Sequence, residues 1–350
     1  MMSAADPTVS VVMATFNGAA FLRDTIDSVL AQTMPDFEIV VADDCSTDDT
    51  LAVLAAIDDP RLRVINVATN GGPAPARTLA MAQARGRFIV GLDQDDICRP
   101  DRFARQIAYL YEHPDVALVA STMEMFAAGS GLETVRRDPH PDLVDPDAID
   151  WTMWLLNPIG WSTVMMRVEA ARALIPFQRD ELRFAEDFDL YTRIRAYGRI
   201  GRIAEPLIRY RLHAGGASQA FEEGMIASAA RVLADRYAPH FGEGADEAAM
   251  LMSRHAASRY PPPDAATLAR LGVIVATLLA LQGHVAPGFS ERSASALWWR
   301  IARAGLRAGR YGMMAMLRAR PGFAPPIDVL LPATLRDALI GAARRAGMRR

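Results

Sequence analysis

Strand-length apolar runs alternate with helix-length stretches across residues 8 to 121, and this change of period restricts the chain to βα units around a mostly parallel sheet. The strand-like runs are Val9 to Ala14, Phe37 to Ala42, Leu62 to Val67, Phe88 to Leu92 and Val116 to Ser121. Helices are predicted between them near Ala19 to Gln32, Asp48 to Ile57, Pro75 to Ala84 and Asp101 to His113. Thr47 with Asp48 and Asp49, and Pro100 with Asp101, mark helix starts, where capping oxygens and acidic side chains meet the positive helix end. In such sheets ligands bind beyond the carboxyl ends of the strands. Four polar segments fall there: Thr15 to Gly18, Asp43 to Ser46, Asn70 to Pro73 and Asp93 to Asp96. Thr15 and Asn17 are therefore candidate ligand-binding groups.

Composition removes several chemistries. None of the 350 residues is lysine, so all 38 basic residues are Arg. A P-loop and a Schiff-base enzyme each need a Lys, and both are excluded. Two cysteines, Cys45 and Cys98, are too few for a zinc knuckle or a disulfide framework, which points to a reducing cytoplasm. Met1 to Pro7 reads as no signal peptide. The net charge of −3 hides an asymmetry: Glu291 to Arg350 holds 12 Arg against three acids, or +9, and the remainder is −12.

Asp93-Gln94-Asp95-Asp96 directly follows the run Arg87 to Leu92. Carboxylates at a strand exit make a hard-cation site, where Mg²⁺ or Mn²⁺ can be held alongside phosphate oxygens. Asp43-Asp44 is a second acidic pair at the same edge. Either pair alone is equally well read as helix capping; two at one ligand edge favour a site. Asp44 then suits hydrogen bonds from a base N–H or a ribose hydroxyl. Arg77, early in a predicted helix after Asn70-Gly71-Gly72, is read either as a diphosphate clamp or as a surface salt bridge.

Taken in order, Ser10 to Gly18, "FEIVVADDCSTDDT" at 37–50, Asn70-Gly71-Gly72 with Arg77, and "GLDQDDICRPDR" at 91–102 resemble the family 2 inverting glycosyltransferases of the GT-A fold. The resemblance spans residues 8 to 213. It implies a mostly parallel α/β sheet flanked by helices, a nucleoside-diphosphate sugar donor, and Asp93 and Asp95 as a metal-binding DXD pair. It places Asp187 of the Glu186-Asp187 pair as general base toward an acceptor hydroxyl; periodicity alone reads that segment as the first turn of an amphipathic helix. His213 resembles the family's late histidine near the metal. Residues 157–167 resemble the acceptor-side loop, with Trp161 and Ser162 beside Glu186 as acceptor-side candidates. Trp161 either stacks on a sugar face or packs in the core. Cys45 stands where the family has Gly, and Thr78 where Asn follows the Arg.

These readings together describe a metal-dependent inverting glycosyltransferase with a saccharide or lipid-linked saccharide acceptor and no nucleic-acid partner. The alternatives are a nucleotidyltransferase, whose Gly-rich basic loop after the first strand is missing, and a catalytically inactive nucleotide-sugar binding module. A dinucleotide oxidoreductase lacks its G-x-G-x-x-G. Residues 1–215 are expected to form the catalytic domain and 216–350 a helical extension. Residues 122–160 read as a loop-rich insertion. Leu271 to Leu281 reads as a buried helix, being short of the roughly 20 residues a bilayer requires. In Leu297 to Leu317, Arg300, Arg303, Arg307 and Arg310 form one stripe, opposite Trp298. That segment is read as an amphipathic helix covering the body or, with Trp298 and Trp299 as anchors, as a peripheral attachment to anionic lipid at the inner face of the cell membrane.

Overall fold

The computed structural model describes residues 6–129, 133–213, 215, 221–325 and 331–346. Asp328, Arg349 and Arg350 of the basic tail lie outside them. The chain divides into two compact units, Met1–Ile149 with Pro158–Ser228, and Asp150–Asn157 with Ala229–Arg350.

The first unit is built on one sheet, nine-stranded among the described residues. Its parallel half is β1 (Val9–Thr15), β2 (Phe37–Asp43), β3 (Leu62–Asn66) and β4 (Phe88–Gly91) in the order β3-β2-β1-β4. All seven residues of β2 are buried, as expected of a strand covered on both faces. Helix α1 (Leu22–Leu30) buries Leu22, Ile26 and Val29, spaced for one helical face, and these join Val9, Val11, Met13, Ile39 and Val90 in the core. Each such aliphatic side chain contributes about 1.5–3 kcal/mol on burial. The strand order reverses between β1's two neighbours, which opens the ligand crevice at the carboxyl ends of β1 and β4. Register puts Thr15 opposite Asp43 at that edge.

Helices α2 (Thr50–Ala55), α3 (Pro73–Gln83) and α4 (Arg102–Glu112) follow β2, β3 and the short β5 (Ile97–Cys98). With α1, all four predicted helices are present, α3 two residues early because Pro73 fits the first helical position. The expectation of an irregular 122–160 is corrected. β6 (Val116–Ala127) runs straight through its start, and β7 (Thr134–Arg137) and α5 (Pro146–Thr152) follow. The backbone partner that extends β6 is β9 (Arg199–Leu212), more than 70 residues away in sequence, so no local pattern announces it. Between them come β8 (Met165–Arg167), α6 (Val168–Ala173) and α7 (Glu186–Ile194). β9 also pairs with β5, which carries its end to the Asp93–Asp96 loop.

The second unit is helical: α8 (Glu222–Phe241, beginning in the first unit), α9 (Ala245–Leu251), a π-helical turn (Met252–Ala257), α10 (Ala265–Gln282), α11 (Phe289–Arg307), α12 (Met313–Arg318) and α13 (Pro332–Arg345). By length and composition α10 could cross a membrane. It buries Leu268, Leu271, Ile274, Val275 and Leu278 along one face, while Val273 is 65% exposed. Two readings of 297–317 are corrected. The segment is not one helix: α11 stops at Arg307, and Gly309 takes φ 75° before α12. Nor are Trp298 and Trp299 interfacial anchors. Both are buried, Trp298 beside Gly272 of α10 and Trp299 donating its indole N–H to Pro325 O. Arg300 leaves the supposed stripe as well, donating to Ala256 O, and burial near Arg259 lowers its pKa to about 10.

Candidate active site

The loops leaving β1, β2 and β4 are tied to one another by the side chains that the sequence marks as ligand groups. Thr15 Oγ1 donates to Gln94 Oε1 at 2.6 Å, and the Phe16 N–H donates to the same oxygen at 2.9 Å. Gln94 returns a bond from Nε2 to Phe16 O. Asn17, at φ 49°, accepts the Thr47 N–H at 2.8 Å and donates its own N–H to Ser46 Oγ. Thr15 and Asn17 therefore set the shape of the crevice rim. Gln94, which the sequence reading passed over as the spacer between two aspartates, is the clasp between strands. Phe16 sits on this rim, 44% exposed.

Asp44 is buried, and its two carboxylate oxygens accept the Gly71 and Gly72 N–H groups at 2.9 and 2.7 Å. It folds the Asn70–Gly72 turn over the end of β2. Its neighbour Asp43 accepts the Ser46 N–H on one oxygen, while the other, Oδ1, is buried without a hydrogen-bond partner. Cys45 follows at φ 65°. That conformation is the reason Gly suits the position, and here a side chain tolerates it.

Arg77 is buried, which overturns its reading as a surface salt bridge. From α3 it donates Nη2 to Asp93 Oδ1 and Nη1 to Glu186 Oε1, each at 2.6 Å, and its guanidinium lies 4.6 Å from the centroid of the Trp161 ring. Trp161 is buried too, against Gly91, where an added Cβ would lie 2.7 Å from the indole. The sugar-stacking reading of Trp161 is corrected: it is the floor under Arg77. Ser162 fixes Asp93 by accepting its N–H at 3.0 Å and donating to Oδ2 at 3.3 Å. Burial opposes the Arg77 charge, but Asp93, Glu186 and Asp187 overcome it and raise the pKa.

Asp187 is the second residue of α7, after Glu186, and the helix starts behind Ala185, which holds a left-handed φ of 59°. The positive end of a helix should favour its ionised form. Instead burial and the adjacent Glu186 push its pKa up to about 7, against the pull of Arg77. Burial likewise raises Glu186, with Arg77 opposing. Asp189 is spoken for by Arg179 and Arg193 and is structural. Tyr191, one turn beyond Asp187, is fully buried with a hydroxyl lacking a hydrogen-bond partner; burial and Asp187 raise its pKa. Its i+4 spacing from Asp187 was the available signal.

On the other side of the loop, Asp95 Oδ2 lies 2.8 Å from His213 Nε2. Arg211 braces the pair, donating its Nε to Asp95 O and its backbone N–H to the buried Asp96. Burial raises the pKa of Asp95 and Asp96, and the crowded carboxylates add to it. The donor set for a cation is narrower than the sequence indicated. Among the described residues no group of three or more His, Cys, Asp or Glu side chains forms a metal site. Asp93 gives one oxygen to Arg77 and the other to Ser162, so it partners a cation the chain itself supplies. Asp95 and His213 fit better: a carboxylate oxygen and an imidazole nitrogen, both of them cation donors, lie 2.8 Å apart.

Residues 10–172 match the family described as Glycosyl transferase family 2. The putative teichuronic acid biosynthesis glycosyltransferase TuaG of Bacillus subtilis is 31% identical over 210 residues, 59% of this chain and 79% of that protein. The succinoglycan biosynthesis protein ExoO of Rhizobium meliloti is 48% identical over 101 residues, which span 29% of each chain. Residues 1–349 of Staphylococcus aureus TarS, solved with UDP, superimpose with a TM-score of 0.56 at 20% identity, covering 97% of this chain and 92% of that one. The mannosyltransferase PcManGT of Pyrobaculum calidifontis, solved with GDP-Man and Mn²⁺, gives 0.53 at 18%, covering 97% and 86%. These two likenesses bear out the expected GT-A fold.

Proposed function

The chain belongs to glycosyltransferase family 2, and from that premise we propose that it moves a sugar from a nucleoside diphosphate to an acceptor hydroxyl with inversion at the anomeric carbon. The observation that carries the reading is Asp187: a carboxylate at a helix start in a polar crevice, with a pKa of about 7 where a general base works best. In the in-line displacement Asp187 takes the acceptor proton as the hydroxyl oxygen bonds to the anomeric carbon and the bond to the diphosphate breaks. Arg77, bonded to Glu186 and Asp93, favours the charged form of that carboxylate, while burial and Glu186 oppose it. Asp95 and His213 are the residues that would hold a divalent cation, which when bound neutralises charge growing on the diphosphate.

TarS was solved with UDP and PcManGT with GDP-Man, and this supports a nucleoside-diphosphate sugar as donor. The Phe16 ring on the rim suits stacking on a base. Asp44 remains the proposed contact to base or ribose through its free lone pairs, and the unpartnered Oδ1 of Asp43 is a second acceptor that a ligand N–H or hydroxyl would satisfy. The names of ExoO and TuaG support a growing saccharide as acceptor. Incubation with a panel of UDP- and GDP-sugars, Mn²⁺ and oligosaccharide acceptors, with the anomeric configuration read by NMR, tests the proposal. An inverted product is expected; a retained one contradicts the role of Asp187.

A further inference from the structure

Helix α13 is amphipathic in the wrong sense for a soluble surface helix. Its buried residues are Thr334, Asp337 and Gly341. Gly341 meets α11 so closely that an added Cβ would lie 1.8 Å from Leu306 O, and Arg307 approaches Asp337 at 3.8 Å. Arg344 and Arg345 reach back to Arg307 O and Tyr311 O. Polar and small groups thus dock the helix, and its leucines point away. Leu331, Leu335 and Leu339, at i, i+4 and i+8, are 42%, 50% and 73% exposed.

We propose that α13 is a docking helix for an anionic lipid surface, lying in the interface with Leu331, Leu335 and Leu339 inserted and Arg336 at the headgroup level. The charge on the helix selects this occupant. Arg336, Arg344 and Arg345 are exposed, while its one acid, Asp337, faces inward, so the apolar stripe is framed only by positive charge. Such a face attracts anionic headgroups and repels a second copy of itself. The anchor is thus α13, since Trp298 and Trp299 are buried.

The test is flotation of the full chain with phosphatidylcholine vesicles, with and without phosphatidylglycerol, at low and high salt. The wild type should float with the phosphatidylglycerol vesicles at low salt and be released at high salt, because screening shortens the attraction. Leu335→Gln with Leu339→Gln should lower the bound fraction by roughly tenfold or more, and Arg336→Gln by less. All three side chains are exposed, and an unchanged circular dichroism spectrum checks that the fold survives. Wild type that stays in solution, or a double variant that floats as well as wild type, overturns the proposal. So does concentration-dependent dimerisation that the leucine variants abolish, which would make the face a protein interface.

Discussion

Asp93 and Asp95 are two residues apart on one loop, yet their side chains end in opposite kinds of company. Asp93 meets a permanent cation, Arg77, and through it Glu186 and the start of α7. Asp95 meets His213, a group that can give up its proton and offer a lone pair. The difference teaches that a D-x-D sequence need not be one metal clamp. Here one arm reaches Arg77 and through it Glu186, and the other reaches His213, with Gln94 between them locking the loop to β1.

The largest effect is expected on the base arm. Asp187→Asn should lower kcat by about a hundredfold to ten-thousandfold while leaving donor affinity near normal. Single-turnover kinetics with equilibrium donor binding checks this. An unchanged kcat would move the base to another group, and Glu186 is the remaining carboxylate of the cluster.

Arg77→Met should be the next largest, because it leaves the buried Glu186 and the half-buried Asp93 without their cation. Removing one partner of a buried pair costs about 3–5 kcal/mol, visible as a lower Tm. Arg77→Lys should recover only part, since one ammonium cannot span both carboxylates as the planar fork does. Full recovery would mean that the bridge is not what Arg77 provides.

The pH profile sharpens the same contrast. Turnover under kcat/KM conditions should rise with pH through a limb near 7 as Asp187 ionises. Glu186→Gln removes a like charge and should move that limb to lower pH. The linked stability has the opposite sense: the folded state holds this proton above its ordinary value of 3.8, so stability falls as pH rises from about 4 to 7. Asp187→Asn should therefore gain more in Tm at pH 8 than at pH 4.

The smallest expected effect is at Tyr191. Tyr191→Phe deletes a buried hydroxyl that has no hydrogen-bond partner, so stability should stay within about 1 kcal/mol or rise. A large loss of turnover at intact stability would instead give that hydroxyl a role at the acceptor.

The sequence made the strands legible because β1, β2 and β4 are largely buried and read as mostly apolar runs, broken only by Ser10 in β1 and Glu38 in β2 before their polar ends. It also marked the acidic residues at their ends. What it could not show depended on distant partners. Arg77 and Glu186 are 109 positions apart, so neither residue's neighbourhood reveals the bridge. Trp161 suits a sugar platform or the core equally in sequence, and only the tight slot at Gly91 shows it as a floor. Adjacent tryptophans looked like an interfacial anchor because a helix usually buries one face. Here α11 is contacted on more than one side, and both rings are covered. The outward leucines of α13 went unremarked for the complementary reason: only packing shows which face of a short helix is left over.

The division of labour between Asp93 and Asp95 is tested most directly by titrating Mn²⁺ into the protein with UDP or GDP, followed by calorimetry, in wild type, Asp93→Asn and Asp95→Asn. The Asp95→Asn protein should bind the metal–diphosphate pair at least about tenfold more weakly, the effect of losing one ligand of a hard cation. Asp93→Asn should bind it as wild type does while losing turnover. Equal loss of Mn²⁺ binding in both variants would contradict the account and return Asp93 to the metal.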